Sequence, residues 1–222
     1  MRRLWRKTWF RLVVYAVTLV ATVFLTVAFT APRLPHDTGP LPTLQGIHTA
    51  SRVDPLLGKV ASRFAGKRVE VRCWSHRDWS RLSKQVAAYT NGHFRPGSWT
   101  GYESTDHRRE NLAPNVCATL ERLTYSHAVP TSYAEGSRLA WSLWILLDVA
   151  AQLRHDAPTA TCYAMQEITP AGIELGLDRV TAPALGALFW GDIYPHLAGP
   201  RRSPECRAGG RLDLHPEKPG WP

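Results

Sequence analysis

The chain has no C-x-x-C pair, so the commonest spacing for a redox dithiol or a zinc thiolate pair is missing. It has no glycine-rich phosphate-binding loop, no Ser/His/Asp order of a serine hydrolase, no N-glycosylation sequon and no internal repeat. Lysine is scarce, five residues against 22 arginines. One absence is local and more informative. Leu12 to Ala31, twenty residues, contains no Asp, Glu, Lys or Arg.

Five cations, Arg2, Arg3, Arg6, Lys7 and Arg11, precede that apolar run. At about 1.5 Å rise per residue, twenty residues match the roughly 30 Å hydrocarbon core of a bilayer. Lipid offers no partner for a free backbone N–H or C=O, so such a segment must be helical. Trp5, Trp9 and Tyr15 fall where interfacial aromatics belong, and the cations hold the N-terminus in the cytoplasm. Pro32 and Pro35 end the helix. The competing reading is a cleaved signal peptide with Thr26-Val27-Ala28 as its small-residue site, although the apolar run is longer than a usual signal core. No Cys lies near the segment, which excludes a lipoprotein anchor. Both readings export the remainder.

The length of 222 residues, with 44% hydrophobic and 20% charged residues, suits one folded domain plus this targeting segment. The net charge of +9 shrinks once the first five cations are set aside: 22 basic and 18 acidic residues remain, leaving +4. Those charges are interspersed, with Asp106 and Glu110 flanking Arg108 and Arg109, which reads as a solvated surface. No basic stripe for phosphates is present, so nucleic acid is not an expected partner.

The expected organisation is a cytoplasmic basic segment at 1–11, a signal-anchor at 12–31, a Pro/Thr/Gly linker at 32–50 and an extracytoplasmic domain at 51–222. Within the domain, Asp54 to Ala65 has helical spacing and Gly66 stops it. Lys67 to Cys73 alternates like a half-buried strand, with Val69, Val71 and Cys73 on one face. Asp78 to Tyr89 returns to helical spacing through Trp79, Leu82, Val86 and Tyr89. Asn91-Gly92 and Pro96-Gly97 mark turns, and the stretch to Glu110 reads as irregular or a short hairpin. Pro114 opens a helix bearing Val116, Leu120 and Leu123. Ser132 and Glu135 match a capping box before a helix over Ser137 to Arg154 that is apolar nearly all round, the expected central core helix. Asp156 caps a further helix through Cys162 and Met165, and Thr181 and Pro183 start a last one. The tail from Gly199 has Cys206 as its one expected tether. The fold class is mainly α with a small β element (α+β), one N-terminal transmembrane helix and one compact disulfide-tied domain.

Cys73, Cys117, Cys162 and Cys206 are even in number and lie in an exported domain, so structural disulfides are expected. The residues alone leave all three pairings open. Sequential pairing would close two loops of similar size, each worth roughly 3–4 kcal/mol in the chain-entropy model, and would pin the tail.

Several phrases carry a resemblance: Val69-Glu70-Val71-Arg72-Cys73-Trp74-Ser75, Asn111-Leu112-Ala113-Pro114-Asn115-Val116-Cys117, Cys162-Tyr163-Ala164-Met165-Gln166, and the tail from Ser203-Pro204-Glu205-Cys206 to Leu214-His215-Pro216. Together they resemble a family of exported actinobacterial proteins with a zinc-metallopeptidase-like core. The resemblance covers most of the chain after the linker and implies the sequential pairing, Cys73 with Cys117 and Cys162 with Cys206. It also implies H-E-x-x-H on the helix before the third Cys, where two His bind Zn²⁺ and the Glu activates water. Here that helix reads Leu146-Leu147-Asp148-Val149-Ala150-Ala151-Gln152, which supplies neither His. Asp148 stands near the Glu position, Asp156 remains of the later acidic positions, and Ala157 and Thr161 fill others.

A replacement set can be named. Asp148, Gln152 and His155 are spaced i, i+4 and i+7, so on a continuous helix they share one face, either a divergent polar or metal site or a narrow solvated stripe. His107 and His127 lie in loop-like text and read as surface residues, as does Asp106-His107 before Arg108. Trp99, Trp141 and Trp144 could build a partner surface, although clustered Trp are more often core. The leading expectation is a membrane-anchored extracytoplasmic protein with a degenerate metallopeptidase-like domain. It is non-catalytic and binds or scaffolds an envelope protein partner, with residues 12–31 in the bilayer and no cofactor. The alternative is a divergent metal-dependent hydrolase using Asp148 and His155, with zinc as its metal.

Overall fold

The structure, a computed structural model, describes residues 51–89, 100–103 and 108–217. The expected segments 1–11, 12–31 and 32–50 lie outside these residues, as do Asn91-Gly92, Pro96-Gly97, Trp99, Asp106 and His107. No helix among the described residues is long and apolar enough to cross a membrane.

Strand β1 (Ser51–Asp54) runs directly into helix α1 (Pro55–Ala65). Asp54 makes that corner: its Oδ1 accepts from the N–H groups of Leu56 and Leu57, both at 3.0 Å, and Pro55 takes the first helical position. Gly66 ends the helix with φ +64°, a left-handed conformation that favours a residue without Cβ. Then follow β2 (Glu70–Trp74), α2 (His76–Tyr89), β3 (Gly101–Glu103) and β4 (Arg109–Leu112). The four strands order β1-β2-β4-β3, with β2 and β4 parallel and the two outer pairs antiparallel. Within the stretch expected to be irregular or a short hairpin, β3 pairs antiparallel with β4.

Register decides which residues face the helices. Val71 sits opposite Glu110 and Cys73 opposite Leu112, so these four share one face of the sheet. On the other face the Trp74 Nε1–H donates to Asn111 Oδ1 at 3.0 Å, and the Trp79 ring of α2 lies 6.5 Å from Trp74 and 6.0 Å from Tyr102.

Helix α3 (Pro114–Ser126) leads to the central helix α4 (Tyr133–Gln152). Leu143, Leu146, Leu147 and Ala150 of α4 are fully or almost fully buried, as the all-round apolar pattern requires. β3 lies on α4 closely enough that a Cβ on Gly101 would come within 3.1 Å of Ile145 and Val149. Ser132 caps α4 through the Glu135 N–H, while the Glu135 carboxylate reaches one residue further back, to the N–H and hydroxyl of Thr131. The helix therefore starts earlier than the expected Ser137. It also stops earlier, at Gln152 rather than Arg154.

Helix α5 (Ala157–Gln166), capped by Asp156, packs along α4. A short α6 (Ile168–Glu174) and α7 (Thr181–Leu188) follow, and α7 continues into a π turn over Phe189–Ile193. The disulfides join Cys73 to Cys117 and Cys162 to Cys206, with Cα atoms 5.7 and 5.6 Å apart. Cys206 is not the one tether of the tail. Gln166 Nε2 donates to the Leu212 carbonyl at 2.7 Å, and the Leu214 N–H donates to Gln166 Oε1 at 2.6 Å. The fold is mixed α+β, mainly helical, closed by two disulfides.

Candidate functional site

Asp148 of the core helix is buried rather than solvated. Three elements reach it. Gln152, one turn on along α4, donates from Nε2 to Oδ2 at 2.5 Å. Thr161 of α5 donates from Oγ1 to Oδ1 at 2.9 Å. Arg201, in a single 3-10 turn (Gly199–Arg201) of the tail, places Nη1 2.6 Å from Oδ2. Burial pushes the Asp148 carboxyl up from its ordinary value, against the charge of Arg201 and the hydrogen bonds from Thr161, Arg201 and Gln152.

Behind this network lies Glu110 of β4. It was read among the solvated charges around Arg108 and Arg109, and the structure corrects that: the side chain is fully buried and neither carboxyl oxygen has a hydrogen-bond partner. Burial, and then the nearby charge of Asp148, hold its pKa well above its ordinary value. The register explains its position, since alternation along β4 turns Glu110 to the same side as Leu112.

His155 does not join Asp148. The helix ends before it, the residue is exposed, and its ring meets Tyr163 edge-on at 5.0 Å. Of the expected stripe, Asp148 and Gln152 come together and His155 does not. Thr161, Arg201 and Glu110 complete the group. In the sequence Thr161 stands out only as a residue filling an acidic position of the resemblance, and Arg201 and Glu110 carry no site-like spacing.

These residues do not fit a zinc centre. Both Asp148 oxygens already accept hydrogen bonds, and the Arg201 guanidinium, a cation itself, stands against Oδ2. Among the described residues, the one group of three possible donors within mutual reach is Cys73, Cys117 and Glu121. The two sulfurs there are joined in a disulfide and offer no thiolate. Glu121 is paired with Arg52.

Three other features lie outside this network. Trp141 and Trp144 belong to an aromatic cluster with Phe189, at 4.8 Å from each other, and Trp144 is buried. A pocket of about 170 Å³ opens where α3 meets α4, among Arg122, Val129, Pro130, Thr131 and Leu139. Tyr102, on β3, has its hydroxyl pKa pushed up to about 12 by burial.

No protein-family model, curated protein or solved structure matches the chain.

Proposed function

We propose that the chain is a membrane-anchored extracytoplasmic protein whose domain is a degenerate, metallopeptidase-like scaffold that binds a partner at the cell envelope. One observation carries the non-catalytic part. Near the place on the core helix where the resemblance puts a water-activating Glu, Asp148 is buried and accepts hydrogen bonds from Gln152, Thr161 and Arg201. A buried carboxylate held by three donors is not presented to a substrate, and the positions one before and three after it, where the motif needs His, are Leu147 and Ala151. Two disulfides among four cysteines, with no free thiol, support the extracytoplasmic part, because such bonds persist in oxidising compartments. The uncharged stretch 12–31 behind five cations supports the anchor.

The test is metal content and peptidase turnover of the full chain purified in detergent. The expected result is no stoichiometric metal and no turnover. Stoichiometric zinc with turnover that is lost in Asp148→Asn overturns the scaffold reading.

A further inference from the structure

The pocket at the junction of α3 and α4 combines charge of both signs with apolar walls. Leu139 of α4, 4% exposed, is its most buried wall, and Val129 and Pro130 of the connecting loop add apolar surface. Val129 stays 46% exposed, so that surface is open to solvent. Arg122 reaches the pocket from α3 and Glu135 from α4. At about 170 Å³ the space is smaller than the roughly 300–1,000 Å³ of a drug-sized site and suits a molecule the size of one amino acid.

Local bonds hold the pocket in shape. His127 ends α3 in a left-handed conformation, φ +49°, which is uncommon for a residue with a Cβ. Its ring lies beside Gly176, where a Cβ would come within 3.4 Å of Nδ1. The Ala128 N–H donates back to the Arg122 carbonyl at 3.2 Å, and the ring of Pro130 stiffens the loop. The Thr131 N–H and hydroxyl both donate to Glu135 Oε2, at 2.8 and 2.9 Å. Those two bonds, then the charges of Arg138 and Arg122, hold the Glu135 pKa below its ordinary value, so the side chain is a carboxylate. Oε1 takes no part in either bond with Thr131. Arg122 acts on Glu135 through charge, whereas Thr131 acts through hydrogen bonds.

We propose that this pocket binds a neutral, apolar α-amino acid as its zwitterion, with the carboxylate on Arg122, the ammonium on Glu135 and the side chain against Val129, Pro130 and Leu139. The planar guanidinium fork matches a carboxylate, and Glu135 Oε1 accepts from the ammonium. One charge of each sign on the pocket selects a ligand that carries both. An acid without the amine sets its carboxylate near Glu135 with nothing gained there, and an amine without the acid does the same at Arg122. Exposed charge contacts are individually weak, so the apolar walls must contribute as well. For a ligand of about nine non-hydrogen atoms at an open site, a dissociation constant on the order of 1 mM is expected. The pocket lies outside the Asp148 network, and this assignment stands apart from the scaffold reading.

Saturation-transfer NMR on the full chain in detergent, titrated with L-leucine, tests this. Transfer to leucine should saturate with a dissociation constant on the order of 1 mM. N-acetyl-L-leucine, L-leucinamide and glycine should each bind at least about fivefold more weakly, the scale of one exposed charge contact or of the lost apolar side chain. Arg122→Gln and Glu135→Gln alter one exposed and one half-buried side chain, and each should weaken leucine binding by about fivefold. Glu135→Gln keeps an amide oxygen for the Thr131 donors. Absence of saturable transfer to leucine overturns the proposal. So does N-acetyl-L-leucine or L-leucinamide binding as tightly as leucine, because the pocket would then read a single charge. Leucine affinity unchanged in both variants overturns it too. The analogue series uses the unaltered chain and is decisive whether or not a variant folds.

Discussion

The two disulfides span the same sequence distance, 44 residues, yet they close two differently built regions. Cys73–Cys117 ties β2 to α3, both already fixed by sheet and helix bonding, and is surrounded by Leu112, Val116 and Leu120, each at most 1% exposed. Cys162–Cys206 ties α5 to a tail with no regular element longer than three residues. Backbone without a ladder needs other partners, and here side chains supply them: Gln166 for Leu212 and Leu214, the Tyr194 hydroxyl for Ser203, and Asp148 for Arg201. Apolar burial closes the first region and directional polar contacts close the second. The second kind of closure can be loosened piecemeal.

Removing the crosslinks breaks this comparison open most strongly. For loops of equal length the chain-entropy model assigns the same loss, about 4 kcal/mol each. Cys73→Ala with Cys117→Ala should show that full loss in urea unfolding. Cys162→Ala with Cys206→Ala should show less, because the tail detaches locally before the core melts. Equal losses would erase the distinction between the regions.

Glu110 offers a smaller effect of opposite sign. It keeps its proton in the fold at pH values where the unfolded chain has released it. The native state then binds more protons, and stability falls as pH rises from the ordinary carboxylate range toward the raised folded value. Glu110→Leu should remove that slope and stabilise the domain at neutral pH by about 1–3 kcal/mol, since it deletes a buried polar group that makes no hydrogen bond. Destabilisation by this change, measured across the pH range, would mean that Glu110 has a polar partner after all.

Gln166→Leu acts on the tail alone. It should lower amide protection at Leu214 by an amount equivalent to about 1–2 kcal/mol, with the midpoint of global unfolding nearly unmoved. The smallest effect belongs to Arg52→Ala. Its pair with Glu121 has side chains 65% and 24% exposed, so urea unfolding should shift by less than about 0.5 kcal/mol.

The sequence made the first region legible and the second only in outline. Asp54, Pro55 and Gly66 are local signals that each act within a few residues, and α1 follows them closely. Alternation at Val69, Val71 and Cys73 marked β2 because one face is buried and the other is not. The core helix was visible as an apolar run, but its bounds moved because Ser132 caps it at once and the helix closes at Gln152. That early end takes His155 off the face where simple spacing had placed it. α6 was hidden by Pro170 and Gly172 within seven residues. Glu110 sits in charge-rich text, and a single buried acid among alternating charges leaves no periodic trace. Arg201 meets Asp148 across 53 residues, a contact that no local pattern encodes.

The most direct measurement is the pairing of the four cysteines in protein taken from intact cells, with free thiols blocked at lysis and the linked peptides mapped by mass spectrometry. An exported scaffold of this build should yield Cys73 bonded to Cys117 and Cys162 to Cys206, with no blocked thiol. Recovery of all four residues as free, blocked thiols would contradict an oxidising location for the domain and, with it, the function proposed here.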